Sequence, residues 1–570
     1  MSIFVSTQQE KVKNHSPESL YHHLLVFILS LGTPFVLYLS RHHDNNRLTS
    51  WDWVFNVLSP SRFLAVLILV LVVAWLLSRF SFYEKGKPLV LVVTSFVMAS
   101  LFWSAPEVII DSARYFTQAK HLKLYGIGYF SEEWGKSIFA WTDLPLIPFL
   151  YGLVFKFLGE HRILIQALNT AFYALTVLLT YQLGRTLWDE EVGIWGGWLL
   201  LGFPYLYTQV PLMLVDVSTM FFFMLAVVTC LNALKKGGVS RTLLASFSLF
   251  LIFYVKYSSW MFLTVIPVIC AYFMFQNPVL TIRRGGALAV LSLVLIGILF
   301  MVYQDVFMEQ IRFLMEYQKP GLKRWSESYV STFLFQVHPF ITAAALFSFV
   351  IAARKMDFRF LIISFLFLLF LFLQIKRIRY TLPIFPMFAL MAAYGIGVIQ
   401  NRVLKKHLIF SIVGTSFAVA FVGFLPLLKS LGVKNLLDAG MYLNTLSAEN
   451  VEVQTLAADN AVVNPDLGVS VLDIYTDRKI YYEKKEISPQ KVEQIKGSSL
   501  RFTWEYPVPD YYSVVKGNNI MDGLVVISDK IDSPMPESLD KKIRHYPFKK
   551  TFQQSSNIFQ HQTFITVYHK

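Results

Sequence analysis

Apolar residues fall along this chain in long unbroken runs, not at the alternating or every-third-or-fourth spacing of a half-buried strand or helix. The runs Leu24 to Ser40, Leu64 to Leu77, Ala287 to Tyr303, Phe360 to Leu373 and Leu408 to Leu428 approach or reach the roughly 20 residues a bilayer-crossing helix needs. Backbone polar groups in lipid must be satisfied within the segment, so the runs predict helices. About thirteen such spans are expected before position 428, given that span length.

After Leu428 the pattern shortens. Val451 to Leu456, Val469 to Tyr475, Leu524 to Ser528 and Thr563 to Tyr568 read as strands, and Pro489 to Ile495 as a helix. The expected fold class is therefore an all-α polytopic membrane body followed by a soluble C-terminal α/β or α+β domain. The boundaries read as 1–87 for an N-terminal tail with two extra helices, 88–428 for the main membrane domain, and 429–570 for the soluble domain.

Composition narrows the class. The 570 residues are 55% hydrophobic and only 15% charged, which excludes an ordinary soluble protein. Residues 1–428 hold 34 Lys and Arg against 20 Asp and Glu, whereas 429–570 hold 17 of each, so the +14 excess belongs to the membrane part. Its placement follows topology. With the N-terminus inside, Arg79, Lys85 and Lys87; Arg185; Lys235, Lys236 and Arg241; Arg283 and Arg284; Arg354, Lys355 and Arg359; and Arg402, Lys405 and Lys406 all fall in loops expected to be cytoplasmic. An odd number of spans then puts 429–570 outside, at a plasma membrane. A basic face on a soluble module, which nucleic-acid binding would want, is not what this distribution describes.

The two cysteines, Cys230 and Cys270, lie in apolar runs and provide no disulfide framework. The first 20 residues are polar, so the first span reads as an uncleaved anchor. Two outer segments, 105–162 and about 304–336, mix charges with Trp134, Trp141 and Trp325 and read as amphipathic stretches along the interface that could cover an active site.

Candidate chemistry comes from charges out of place. Glu107, Asp111, Arg114 and Tyr115 follow the third span, with Asp143 about thirty residues on by the same numbering, where a base could meet both a lipid head group and a polar acceptor. Asp216 interrupts an apolar stretch, which costs about 2.5–3.5 kcal/mol at a helix centre, so it needs a polar cavity or an ion-pair partner. Lys256 raises the same question with opposite sign, snorkelling being the structural answer. Lys376, Arg377, Arg379 and Tyr380 lie at the outer end of a span, against the inside rule, and suggest an anionic ligand. Carboxylates facing cations suit transfer of a sugar from a phosphate leaving group.

At these residues the sequence resembles the dolichyl-phosphate-mannose protein mannosyltransferase-like superfamily, which includes bacterial lipid A aminoarabinose transferases. Asp111-Ser-Ala-Arg114-Tyr115 is similar to the Asp-Glu-x-Arg-Tyr opening of that family's first external loop, and Asp143-Leu-Pro145-Leu to its Lys- or His-Pro-Pro-Leu element. Asp216 matches an acid at the start of a later span, Lys256 a Lys after the next hydrophobic segment, and Arg379-Tyr380-Thr-Leu-Pro383-Ile-Phe-Pro386 an Arg-Tyr-x-x-Pro-x-x-Pro element. The order agrees over about residues 88–400.

The resemblance implies a GT-C fold and an inverting glycosyltransferase that moves a hexose or pentose from a polyprenyl- or dolichyl-phosphate donor to an extracytoplasmic protein, lipid or glycan. It implies Asp111 as base or metal-associated acid, Asp216 as its assistant, and Lys256 and Arg379 as phosphate holders. Glu107, Arg114, Tyr115, Asp143, Lys376 and Tyr380 are the remaining substrate-binding candidates. Ser112 stands where many members have a second acid, and Asp143-Leu replaces a basic residue and proline. If a divalent cation is used, hard oxygen ligands from Asp111 and Asp216 point to Mg or Mn. The alternatives are a transporter or flippase of a lipid-linked or anionic substrate, which would place its charges in a central pathway, and a catalytically silent scaffold.

Overall fold

The computed structural model describes residues 17–80, 87–107, 111–140, 143–313, 315–316, 327–457, 461, 463–484, 489–495, 502–512, 521–531, 533–555 and 562–570. Lys85, Trp141 and Trp325 lie outside them.

The membrane part is helical: α1 (Pro17–Leu39), α2 (Pro60–Arg79), α3 (Lys87–Ser100), α4 (Asp111–Glu133), α5 (Leu146–Leu158), α6 (Arg162–Leu187), α7 (Glu190–Leu200), α8 (Asp216–Lys236), α9 (Val239–Val255), α10 (Val265–Gln276), α11 (Pro278–Val302), α12 (Pro339–Lys355), α13 (Phe360–Phe372), α14 (Phe385–Ile396) and α15 (Arg402–Ala418), the last continuing through a wider turn to Lys429. Among the described residues seven helices are long and apolar enough to cross a membrane, and α3, α5, α9 and α13 are shorter apolar ones. The chain is a multi-pass membrane protein. Between α3 and α6, where an interfacial segment is expected, α4 carries the charges and α5 is apolar except for Lys156.

Burial sorts the helices into layers. In α11 only 17% of the most apolar window is buried, against 89% in α8. Every residue of α14 is buried. Close approach needs small residues: a Cβ on Gly184 would lie 2.7 Å from Gly193 Cα, one on Gly196 2.4 Å from Leu390, and one on Gly395 2.2 Å from the Ala344 carbonyl. These notches lock α6, α7, α12 and α14 together.

The ends of the helices segregate by charge. Lys235 donates to the Thr186 carbonyl, Arg284 to those of Leu234 and Lys235, and Arg359 to that of Leu187, while Lys405 pairs with Glu191. The basic loops expected to share one side thus meet one another. Such side chains satisfy orphan carbonyls at helix C-termini and complement the helix dipole.

Helix α16 (Val433–Thr445) leads into a five-stranded sheet of β1 (Asn450–Leu456), β2 (Lys479–Tyr482), β3 (Gly523–Ser528), β4 (Phe548–Phe552) and β5 (Phe564–His569), in the order β2-β1-β3-β5-β4. β1 is parallel to β2 and β3, and β5 is antiparallel to β3 and β4. Three expected strands are found as β1, β3 and β5. The fourth, Val469 to Tyr475, is wrong: Leu467–Asp473 forms a helix, α17. It is buried on all sides, so its pattern cannot separate strand from helix, and Asn464-Pro465-Asp466 before it starts a helical turn. β2 and β4 have no hydrophobic run to announce them. They are the edge strands, and Lys549 and Lys550 on exposed β4 guard its open side.

Candidate functional site

At the end of the body away from the basic loops, six side chains form one alternating row, Asp143–Arg114–Asp111–Arg379–Asp216–Lys256. Each is carried by a helix start, a helix end or a short turn.

Asp111 opens α4, and Arg114, one turn on, shares its face. The Arg114 guanidinium lies 3.6 Å from Asp111 Oδ1 and reaches Asp143 with Nε 2.6 Å from Oδ2 and Nη2 3.2 Å from Oδ1. The Tyr115 hydroxyl donates to the same carboxylate at 3.0 Å. Asp216 is the first residue of α8, where the helix dipole favours an anion. Its Oδ1 takes the Lys256 ammonium at 2.9 Å and its Oδ2 the Arg379 Nε at 2.5 Å. Lys256 stands where α9 stops, in extended backbone before a tighter turn over Tyr257–Thr264. Arg379, on the short helix Ile378–Thr381, completes the row by giving Nη1 to Asp111 Oδ2 at 2.5 Å.

Asp143, Arg114, Arg379, Asp216 and Lys256 are buried, and Asp111 is 16% exposed at its side chain. Three carboxylates balance three cations, as burial in a low dielectric demands. Burial favours the neutral form of Asp111, but the guanidinium groups of Arg379 and Arg114 outweigh it and hold the carboxyl well below the usual carboxylate range. Asp111 is ionised, and it is a weak base while Arg379 stays on it.

The other expected site residues divide. Tyr380 flanks the row, its ring centroid 5.8 Å from the Lys256 ammonium and 5.2 Å from the Arg377 guanidinium. Lys376 lies 5.8 Å from the Tyr329 ring centroid. Glu107 stands apart, 1% exposed: it pairs with Arg162 at 2.8 Å, accepts from the Ser112 hydroxyl at 2.7 Å and accepts the Met213 N–H at 3.1 Å. One carboxylate thus ties the start of α4 to the turn before Asp216. Ser112 is spent on that tie.

Arg162, a cation at the close of the outer segment 105–162, is the partner that Glu107 requires. The C-terminal unit also reaches α4: Tyr475 OH takes the Glu107 N–H at 2.6 Å, Tyr506 OH meets Thr117 Oγ1 at 2.5 Å, and Asp473 pairs with Lys120 at 2.6 Å. Nothing in the linear sequence pairs these residues.

While Arg379 bridges the two acids, this arrangement has no open place for a divalent cation. The Arg379 guanidinium already occupies the position between Asp111 and Asp216 that a bridging ion would take. Among the described residues no three His, Cys, Asp or Glu side chains gather for a metal.

No protein-family model and no curated protein matches the sequence. Solved structures do match in fold. ArnT from Cupriavidus metallidurans in the apo state superposes with TM-score 0.55 at 10% identity, covering 85% of this chain and 98% of that one. The same protein bound to undecaprenyl phosphate gives 0.54 at 11% identity with equal coverage. AglB from Archaeoglobus fulgidus, an archaeal oligosaccharyltransferase in complex with an inhibitory peptide and a dolichol-phosphate, is a looser likeness at 0.44, too loose to add weight. At such low identity it is architecture that is shared, and by that architecture the protein has the GT-C fold.

Proposed function

We propose that the protein is a membrane glycosyltransferase that moves a sugar from a polyprenyl- or dolichyl-phosphate donor to an extracytoplasmic acceptor. The observation that carries this reading is Arg379, which bridges Asp111 and Asp216 at 2.5 Å each. The likeness to ArnT, solved with undecaprenyl phosphate, supports the donor class.

The donor phosphate is an anion that can compete for Arg379 and Lys256. A guanidinium that turns from Asp111 to a phosphate keeps two charge-assisted hydrogen bonds. The same exchange removes the main charge depressing Asp111, so its proton affinity rises as donor binds. Asp111 then accepts the proton of the acceptor hydroxyl. The acceptor oxygen bonds to the anomeric carbon from the face opposite the phosphate, the C–O bond to phosphate breaks, and the leaving phosphate keeps the electron pair. Inversion follows from that geometry. Lys256 and Arg379 stabilise the departing charge, and Asp216 holds both in place. Arg114, fixed by Asp143 and Tyr115, keeps Asp111 oriented. An enzyme needs Asp111 beside the cations, and Arg379 links it directly to Asp216 and through that to Lys256. On this reading the row and the C-terminal unit face the outside of a plasma membrane.

Asp111→Asn preserves shape and removes the base. Membranes containing this variant at normal abundance should transfer no sugar from lipid-phosphate donors, judged by mass spectrometry of the products. Normal turnover in the variant removes Asp111 from the mechanism.

A further inference from the structure

Of the three cations in the row, Arg379 has the weakest local support. Arg114 lies within a long helix and Lys256 at the end of another, whereas Arg379 sits in a four-residue helix that cannot hold itself in water or lipid. Its support comes from Glu327, 5% exposed, whose Oε2 accepts the Ile378 N–H at 2.9 Å. That N–H opens the short helix and would otherwise lack a partner. The Thr332 hydroxyl donates to the Lys376 carbonyl at 3.1 Å, so two bonds fix the backbone on either side of Arg377.

The stretch that carries Glu327 and Thr332 is itself fastened to a second buried acid. Asp44 accepts from Ser331 Oγ at 2.5 Å and from Gln336 Nε2 at 3.1 Å, and from the N–H groups of Asn46 and Trp51 at 3.1 and 2.9 Å. Trp51 Nε1 reaches the Phe335 carbonyl at 3.0 Å, and Ser328 N–H reaches Asn45 Oδ1 at 2.8 Å. A continuous bonded path therefore runs from the loop after α1, through 327–336, to the cationic segment 376–380. Burial pushes both acids above the usual carboxylate range, Asp44 to about 6. Carboxylates kept in so unfavourable a setting are committed to the geometry they secure.

We infer that Glu327, seated through Asp44 on the loop after α1, is a positioning residue that sets Arg377 and Arg379 for the phosphate of a lipid-linked donor. The inference rests on the transferase reading above. It gives the first two helices, which lie outside the sequence resemblance, a role in donor binding: they anchor the cation side of the site.

The full chain in lipid nanodiscs, titrated with undecaprenyl phosphate as the probe, tests this. Arg379→Ala checks the underlying reading, and Glu327→Ala, Glu327→Gln and Ile378→Pro check the inference. Wild type should bind and Arg379→Ala should lose binding. Glu327→Ala should raise Kd about tenfold or more with the melting transition retained, while Glu327→Gln, whose carbonyl still accepts the Ile378 N–H, should return Kd to within about threefold of wild type, the scale of one hydrogen bond. Ile378→Pro deletes the N–H itself at a helix position that tolerates proline, after a residue already at φ −70° and ψ 119°. It should reproduce the Glu327→Ala loss, and it decides the matter if Glu327→Ala does not fold. Wild-type affinity in folded Glu327→Ala or Ile378→Pro, beside lost affinity in Arg379→Ala, overturns the inference. Equal affinity of wild type and Arg379→Ala, or no binding by wild type, overturns the transferase reading instead.

Discussion

Helix α8 has an acid at one end and two lysines at the other, and the two ends live under different rules. At the Lys235 and Lys236 end the cations are exposed, and Lys235 and its neighbours bond backbone carbonyls of adjacent helices. At the Asp216 end every cation in the row is buried and matched by a carboxylate. Water meets the charge at the first end, so residue identity there is set by membrane topology. Protein must meet it at the second, so each charge is set by its partner. An anionic ligand therefore enters the second end by replacing a carboxylate, whereas at the first it would merely add to solvent.

That contrast can be broken most severely at Arg379. Arg379→Ala leaves Asp111 and Asp216 without their shared cation, and loss of one partner from a buried pair costs about 3–5 kcal/mol. Transfer should vanish and the melting temperature of the purified protein should fall by several degrees. Arg379→Lys sharpens the point: a single ammonium lacks the planar fork needed to span both acids, so folding should survive with activity down about 100-fold. A lysine variant with near-normal turnover would show that charge alone suffices.

Asp143→Asn acts one step from the chemistry. It keeps the shape, leaves Arg114 a weaker partner, and should lower turnover about tenfold with a stability loss of about 1–3 kcal/mol. Circular dichroism melts beside product counts will separate the two effects. Asp473→Asn loosens the C-terminal unit from Lys120 on α4 and should cost only a few-fold in rate, on the order of one hydrogen bond. Lys235→Ala and Lys236→Ala, at the other end of α8, should leave turnover within about twofold, as surface charge changes do. A large rate loss there would erase the distinction between the ends.

Much of the architecture was legible because lipid imposes it. The apolar run Ala287 to Tyr303 reads as a span and falls in α11 as far as Val302, the least buried of the seven long apolar helices among the described residues. In the C-terminal unit the apolar strands β1, β3 and β5 were legible, while β2 and β4, at the edges with polar outer faces, were not. Asp216 and Lys256 were legible as charges in costly places and Arg379 as a cation against the inside rule, while Asp111, Arg114 and Asp143 stood out by their place after the third span. Their pairing was not legible, since Arg379 and Asp111 are 268 residues apart in sequence. Glu327 and Asp44 escaped notice because an acid in an outer loop looks solvated until folding buries it.

Helix α14 starts six residues after Arg379 and exposes none of its own residues. Its Leu390 side chain fills the notches at Gly184 and Gly196, and its Gly395 lies directly against the Ala344 carbonyl. Membranes that thicken or thin act on helices through their lipid-facing surface, and α14 has none, while α11 presents most of its length. Changes in acyl-chain length or temperature should thus tilt the periphery first, leaving the spacing of the row insulated from the bilayer's mechanics.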